Sequence, residues 1–259
     1  MLSIDQYLRA SSLEEAYEAL GRKNSAVLGG MLWLRQGNRR ITTAIDLSAL
    51  GLDQIEKTDE YIRIGAYVSL RTLETDARLR EILGDVFTEA VKRIVGVQFR
   101  NLATVGGSIF GRFGFSDVVT VCLALDAEVE LYRGGVMPLA DFCQMAGVRD
   151  ILTHIRIPRR ALRAAYRAHR SSATDFPALN VCAVACEDTL TVAVGARPLR
   201  AVSYRFPLAD VSAEAVADQI AAQTVFASNR RASEEYRRHL CRVLVRRAID
   251  EVLDGKEER

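Results

Sequence analysis

Hydrophobic positions along this chain alternate between two periods, and the switches mark the expected elements. Ser12-Leu13-Glu14-Glu15 has the form of a capping box, and Leu13, Ala16, Tyr17 and Leu20 share one helical face up to Gly21. Short apolar runs over 26–28 and 41–47 read as strands, and 61–68 alternates enough to be another. Ser69 caps a short helix through Thr75. Leu79, Ile82, Leu83, Val86, Phe87, Ala90 and Ile94 recur at helical spacing, which predicts one longer helix over 77–94, stopped by Gly96. Residues 118–125 read as a buried strand or helix segment. A strand over 128–132 runs into Gly134-Gly135, which suits a hairpin turn.

The character changes after Ile155-Arg156-Ile157-Pro158. Arg159, Arg160, Arg163, Arg167, His169 and Arg170 crowd one stretch, marking a boundary followed by a basic strand. A hairpin is expected across Glu187-Asp188, joining 179–186 to 190–194. Helices follow over 213–224 and 233–253, the last with Leu240, Val243, Leu244, Ala248 and Val252 as its apolar stripe. The pattern is α+β. Residues 1–158 form a first domain, with subdomains of about 1–52 and 53–158, and 159–259 a smaller one with antiparallel strands and terminal helices.

Composition narrows the class. With 49% hydrophobic and 26% charged residues in 259, the chain has the balance of a soluble globular protein with a sizeable core. A net charge of +2 gives no long-range pull toward nucleic acid. The opening Met1-Leu2-Ser3-Ile4-Asp5 lacks the order of a signal peptide, and no apolar run approaches the ~20 residues that span a bilayer. The cytoplasm is the expected compartment. Cys122, Cys143, Cys182, Cys186 and Cys241 are odd in number and show no CxxC, which argues against a disulfide framework or a four-cysteine metal site. Cys182, Val184 and Cys186 share one strand face, where thiols act as small apolar groups. His154, His169 and His239 have no metal-ligand spacing, and no nucleophile–base constellation is visible.

Two glycine pairs carry the candidate chemistry. Ala26-Val27-Leu28-Gly29-Gly30-Met31-Leu32-Trp33 is a short apolar strand entering paired glycines. Thr104-Val105-Gly106-Gly107-Ser108 repeats the design, with Asp117 following. Consecutive glycines let backbone N–H groups converge on an anion and let a bulky ligand approach the main chain. An ordinary strand–turn–strand corner is the plain alternative for the second. Neither reads G-x-G-x-x-G, so a Rossmann site is not indicated. Two loops closing on one diphosphate, such as that of FAD, is the better physical reading. Thr104 and Ser108 add hydroxyls. Asp117 can accept from a sugar hydroxyl or ring N–H, or cap the segment that begins at Val118. Trp33 reads as packing beside the first loop. Arg112, in a glycine-flanked loop, can pair with the diphosphate or face an electron acceptor.

The stretch Gln98-Phe99-Arg100-Asn101-Leu102-Ala103-Thr104-Val105-Gly106-Gly107-Ser108-Ile109, with Ser116-Asp117, resembles the FAD-binding subunit of the molybdenum hydroxylases, which include xanthine and carbon monoxide dehydrogenases. Ser12-Leu13-Glu14-Glu15-Ala16, Val27-Leu28-Gly29-Gly30, Asp46-Leu47, Ile64-Gly65-Ala66-Tyr67-Val68-Ser69-Leu70 and 233–240 extend the likeness over nearly the whole chain. The resemblance implies a two-subdomain FAD-binding domain of the PCMH type with non-covalent FAD, and a smaller C-terminal domain. It also implies partners: a molybdenum-cofactor subunit and a [2Fe-2S] subunit that relays electrons to this chain, with NAD or another terminal acceptor. On the same ground, Ala26 to Trp33, Ile94, Thr104 to Ser108, Asp117, Leu152 and Arg167 are the cofactor contacts, Leu152 at the flavin edge and Arg167 as a nearby cation. Three features depart from the pattern: Met31 replaces a small hydroxyl or acidic residue, Ile94 an aromatic, and Gly111-Arg112-Phe113-Gly114-Phe115 a small-residue and proline stretch. They bear on acceptor and potential more than on flavin binding. The competing readings are a standalone flavin oxidase and a scaffold without flavin.

Overall fold

The computed structural model describes residues 1–209 and 211–254. It opens with β1 (Ser3–Arg9), α1 (Leu13–Leu20), β2 (Ser25–Leu28) and β3 (Arg40–Asp46), a parallel sheet in the order β1-β3-β2. Ser12 caps α1 as expected, its Oγ accepting from the Glu15 amide at 3.1 Å. Ala16 and Ala19 of α1 pack with Ile45 and Leu47. Nearly all of β1 is exposed, so no apolar pattern marks it. Its pairing to β3, from Ser3 with Arg40 to Arg9 with Asp46, defines it instead.

The middle of the chain runs β4 (Ile55–Lys57), β5 (Tyr61–Gly65), α2 (Leu70–Thr75), α3 (Ala77–Leu83), α4 (Val86–Val91), α5 (Val97–Leu102), α6 (Val105–Phe110), α7 (Asp117–Ala124), β6 (Glu128–Leu131), β7 (Gly135–Pro138), α8 (Leu139–Gln144) and β8 (Leu152–Pro158). Its strands form an antiparallel sheet in the order β4-β5-β8-β6-β7. The single helix expected over 77–94 is two, α3 and α4. Gly84, at φ +65°, turns the chain between them while the apolar stripe of Leu79, Leu83, Val86, Phe87 and Ala90 continues across the break. Residues 118–125 resolve as α7, which is buried all round, and this is why periodicity alone left helix and strand open.

The last sheet comprises β9 (Leu162–His169), β10 (Leu179–Cys186), β11 (Thr189–Gly195) and β12 (Val202–Pro207), antiparallel in the order β12-β11-β10-β9. On one face Ala165, Val181, Val192 and Val194 pack against α9 (Ala213–Gln223) and α10 (Glu234–Asp254). On the other, Tyr166, Cys182, Val184 and Ala193 join the main core with α7 and β8. Leu240, Leu244, Ala248 and Val252 face the sheet from α10 as expected. Val243 is only half-buried, and Cys241, Val245 and Ile249 complete the seam. Among the described residues, no helix is long and apolar enough to cross a membrane.

Candidate functional site

The first glycine loop leaves the carboxyl end of β2, the end at which open α/β sheets hold ligands. The Tyr67 hydroxyl fixes the exit by donating to the Leu28 carbonyl while accepting from the Leu47 amide at 3.0 Å. Burial pushes the Tyr67 phenol up to about 12, so it remains a neutral donor. Ala26 and Val27 set the strand that aims the loop. Met31 then sits at φ +58°, a left-handed conformation uncommon outside glycine. The Arg35 amide donates to the Met31 carbonyl at 3.0 Å, and Gln36 Nε2 donates to the Leu32 carbonyl at 2.9 Å. Those bonds tie down the carbonyls. Among the described residues, no acceptor meets the backbone N–H groups of Gly29, Gly30, Met31, Leu32 or Trp33. A run of free amide donors is a cradle for an anion.

The second pair is built differently. Thr104 caps α6, its Oγ1 accepting from the Gly107 amide at 3.1 Å. The Val105 amide donates to Val68 at 2.9 Å, Gly106 to Ala66 at 2.8 Å and Ser108 to Thr104 at 3.1 Å. The Ser108 hydroxyl also donates to the Thr104 carbonyl, at 3.2 Å. Two readings give way here: the plain alternative of a strand corner, because Gly106 and Gly107 open a helix, and the expectation of free amides, because theirs are met by the protein's own acceptors. These glycines serve close packing: a Cβ on Gly106 would lie 2.7 Å from the Ala66 carbonyl oxygen.

The two loops nevertheless meet. A Cβ on Gly29 would sit 2.9 Å from Thr104 Oγ1, and one on Gly30 would sit 1.7 Å from the Leu102 carbonyl oxygen. Behind this contact, α5 is held by Arg100, whose Nε lies 2.7 Å from Glu74 Oε2 and whose Nη1 donates to Ile94 at 3.1 Å. Burial raises the Glu74 carboxyl, but Arg100 and Arg71 together outweigh it and hold it below its ordinary value. Ile94 packs half-buried on the main core, and Leu152 is a buried member of that core.

Asp117 is buried at the first position of α7, and Ser116, not Asp117, supplies the cap, its Oγ accepting from Val119 at 3.3 Å. Asp117 Oδ1 accepts from the Tyr166 hydroxyl, from Asn180 Nδ2 at 2.9 Å and from Arg170 Nη2 at 2.9 Å. Arg170 is the residue that the sequence reading missed. Strand parity could have found it, since Tyr166, Ala168 and Arg170 fall on one side and Arg167 on the other. Arg167 pairs with Glu251 on α10 and faces away from Asp117, a correction to its expected place beside the cofactor. Arg112 is corrected too. At φ +48°, its Nη1 donates to the Met145 and Ala146 carbonyls at 2.9 and 3.0 Å, so it clamps the segment after α8. Trp33 is not core packing: it is 47% exposed and lies 5.8 Å from the Phe176 ring in a cluster with Phe113 and Phe115. These rings link the first loop to the Asp117 region. A cavity of about 390 Å³ lined by Tyr7, Glu15, Glu18 and Thr43 lies elsewhere, between β1 and α1.

These features suit a dinucleotide. The free amides fit a pyrophosphate, two glycines leave room where the loops press together, and Arg170 keeps a buried Nε that meets no acceptor among the described residues. Comparison with known proteins agrees. Residues 2–160 match the family described as the FAD binding domain in molybdopterin dehydrogenase. The uncharacterized protein YgfM of Escherichia coli K12 is 33% identical over 152 residues, a match that spans about half of each protein, 54% of this chain and 54% of that one. The xanthine dehydrogenase FAD-binding subunit of E. coli O157:H7 is 26% identical over 98% of this chain and 97% of its own length. In fold, the chain superposes with a TM-score of 0.84 on a carbon monoxide dehydrogenase from Hydrogenophaga pseudoflava, at 21% identity, covering 96% of this chain and 97% of that one. The chain belongs to the family of FAD binding domains in molybdopterin dehydrogenases, which its residues 2–160 match.

Proposed function

We propose that this chain is the electron-transfer subunit of a molybdenum hydroxylase complex, taking electrons from [2Fe-2S] clusters in one partner and passing them to NAD or another acceptor. Bound FAD supplies the redox chemistry, since it accepts electrons singly and can release them as a pair. The observation that carries the reading is the run of unbonded amides from Gly29 to Trp33, pressed by Gly29 and Gly30 onto Thr104 and Leu102 of the second loop. The amides hold the pyrophosphate, the Thr104 hydroxyl donates to it, and Asp117 orients the ribityl or ring atoms. Residues 1–158 supply the flavin unit, with subdomains of about 1–52 and 53–158, and 159–259 cover its far side. A molybdenum-cofactor subunit and the [2Fe-2S] subunit complete the complex, which sets the hydroxylated substrate.

The full chain, purified gently, is expected to carry flavin absorbance, to bind FAD with one cofactor per chain, and to copurify with two partner subunits. A colourless chain that ignores added FAD overturns the reading. A yellow chain that oxidises a small substrate unaided, with dioxygen taking the electrons, points to a standalone oxidase.

A further inference from the structure

Beneath the ring cluster, between α7 and the last sheet, lies a buried polar group of four side chains. Arg170 has a side chain 6% exposed, and its partner Asp117 is 5% exposed, with Nη2 and Oδ1 2.9 Å apart. Arg170 Nη1 donates to the Asp175 carbonyl at 2.6 Å, while its Nε is buried without an acceptor among the described residues. Tyr166 and Asn180 donate to the same Asp117 oxygen. Burial and then the Asp117 charge hold the Tyr166 phenol well above its ordinary value, so it stays neutral. The group therefore holds one negative and one positive charge. Removing either leaves the other buried and uncompensated, the costly case for a buried pair. Gly195 lets the group close, since a Cβ there would fall 2.3 Å from both Asn180 Oδ1 and Thr120 Oγ1.

We propose that Arg170 is a positioning residue for the flavin, holding Asp117 aimed at the cofactor while cancelling its charge, so that reduction to a more negative cofactor meets no bare carboxylate. The inference rests on the placement of Asp117 against FAD proposed above. A lone carboxylate beside the ring favours the oxidised cofactor and a lone cation the reduced one, and the protein tunes potential through that balance. Arg167 cannot act here, because its charge is spent on Glu251 across the sheet. Arg170 has both the carboxylate and a spare donor.

The test uses the full chain loaded with FAD, in four forms: unaltered, Arg170→Gln, Asp117→Asn and the double variant. The midpoint potential of bound FAD is read by equilibration with a redox dye, and its dissociation constant by fluorescence. Arg170→Gln is expected to weaken reduced FAD about tenfold relative to oxidised FAD, a fall of about 30 mV for a two-electron couple. Asp117→Asn should move the potential up, and the double variant should return toward the unaltered value. Where Arg170→Gln fails to fold, Asp117→Asn against the double variant carries the same test, because the double variant leaves no buried charge. Equal potentials in those two overturn the role of Arg170 while leaving Asp117 in place. Equal potentials in all forms that bind FAD overturn the inference together with the placement of Asp117. An unaltered chain that retains no FAD fails the functional reading itself, a different and visible result.

Discussion

The two glycine pairs look alike as sequence, each a short apolar run entering Gly-Gly, yet the structure gives them opposite duties. At Gly29-Gly30 the amides meet no acceptor among the described residues, and the loop is pinned by its carbonyls. At Gly106-Gly107 the amides bond to Ala66 and Thr104, and the glycines exist so that a helix start can press on its neighbours. On the proposed reading, the first pair receives the anion and the second is the surface against which it closes. Paired glycines in a sequence report close approach of something to the main chain, but whether that is ligand or protein depends on where the amides find acceptors.

The contrast breaks most severely at Gly30. A methyl there would lie 1.7 Å from the Leu102 oxygen, so Gly30→Ala must push the loops apart. Flavin retention is expected to be lost, with a hundredfold or greater rise in the FAD dissociation constant, about 2.7 kcal/mol or more. Absorbance after gel filtration reads it, and full flavin content would unseat the two-loop contact. Glu74→Gln acts on folding rather than binding, by stranding the buried Arg100 behind the second loop. A loss of about 3–5 kcal/mol in stability is expected, measured by urea unfolding. Because Glu74 is held below its ordinary value, its contribution is complete above the unfolded carboxyl's titration and is lost as pH falls through the lowered folded value. Melts from neutral toward acid pH should therefore fall more steeply for the unaltered chain than for Glu74→Gln.

Gly107→Ala sharpens the comparison from the other side. Its Cβ would meet only Thr104 Oγ1, at 3.1 Å, and the amide there is already in use. FAD should bind within about tenfold, or 1.4 kcal/mol, of the unaltered chain. A loss as complete as at Gly30 would mean that the second pair also grips the ligand. The smallest effect is expected at Met31→Gly, which relieves a left-handed backbone at φ +58° and leaves the donors in place. A gain of up to about 1 kcal/mol in the folded state, seen as a small rise in melting temperature with unchanged flavin affinity, would show that the Met side chain contributes nothing to the cradle.

Much of the fold was legible. The α1 cap, the Ser69 cap of α2, the Gly134-Gly135 hairpin between β6 and β7, the β10–β11 hairpin and both terminal helices follow from capping chemistry and apolar spacing, which are local. Misses came where local pattern is silent or shared. β1 buries almost nothing, so it shows no alternation, and α3 and α4 share one stripe across a glycine turn. At the site, the glycine pairs, Thr104 and Asp117 were visible as residue types. Tyr67, Arg170 and the ring cluster around Trp33 were not, because each acts through groups far off in the chain, Leu28 for Tyr67, Asp117 for Arg170 and Phe176 for Trp33, or across a sheet whose parity must be known first.

The sequence by itself determined that this is an α+β protein with two glycine loops and the makings of an FAD site, because periodicity, caps and a family-specific motif are properties of neighbouring residues. Only the tertiary structure decided which loop offers its amides and that Arg170 rather than Arg167 stands beside Asp117. Hydrogen-bond satisfaction and strand facing depend on which distant groups arrive, and the arrival of Ala66, Thr104 and α10 is a consequence of packing that no local pattern encodes.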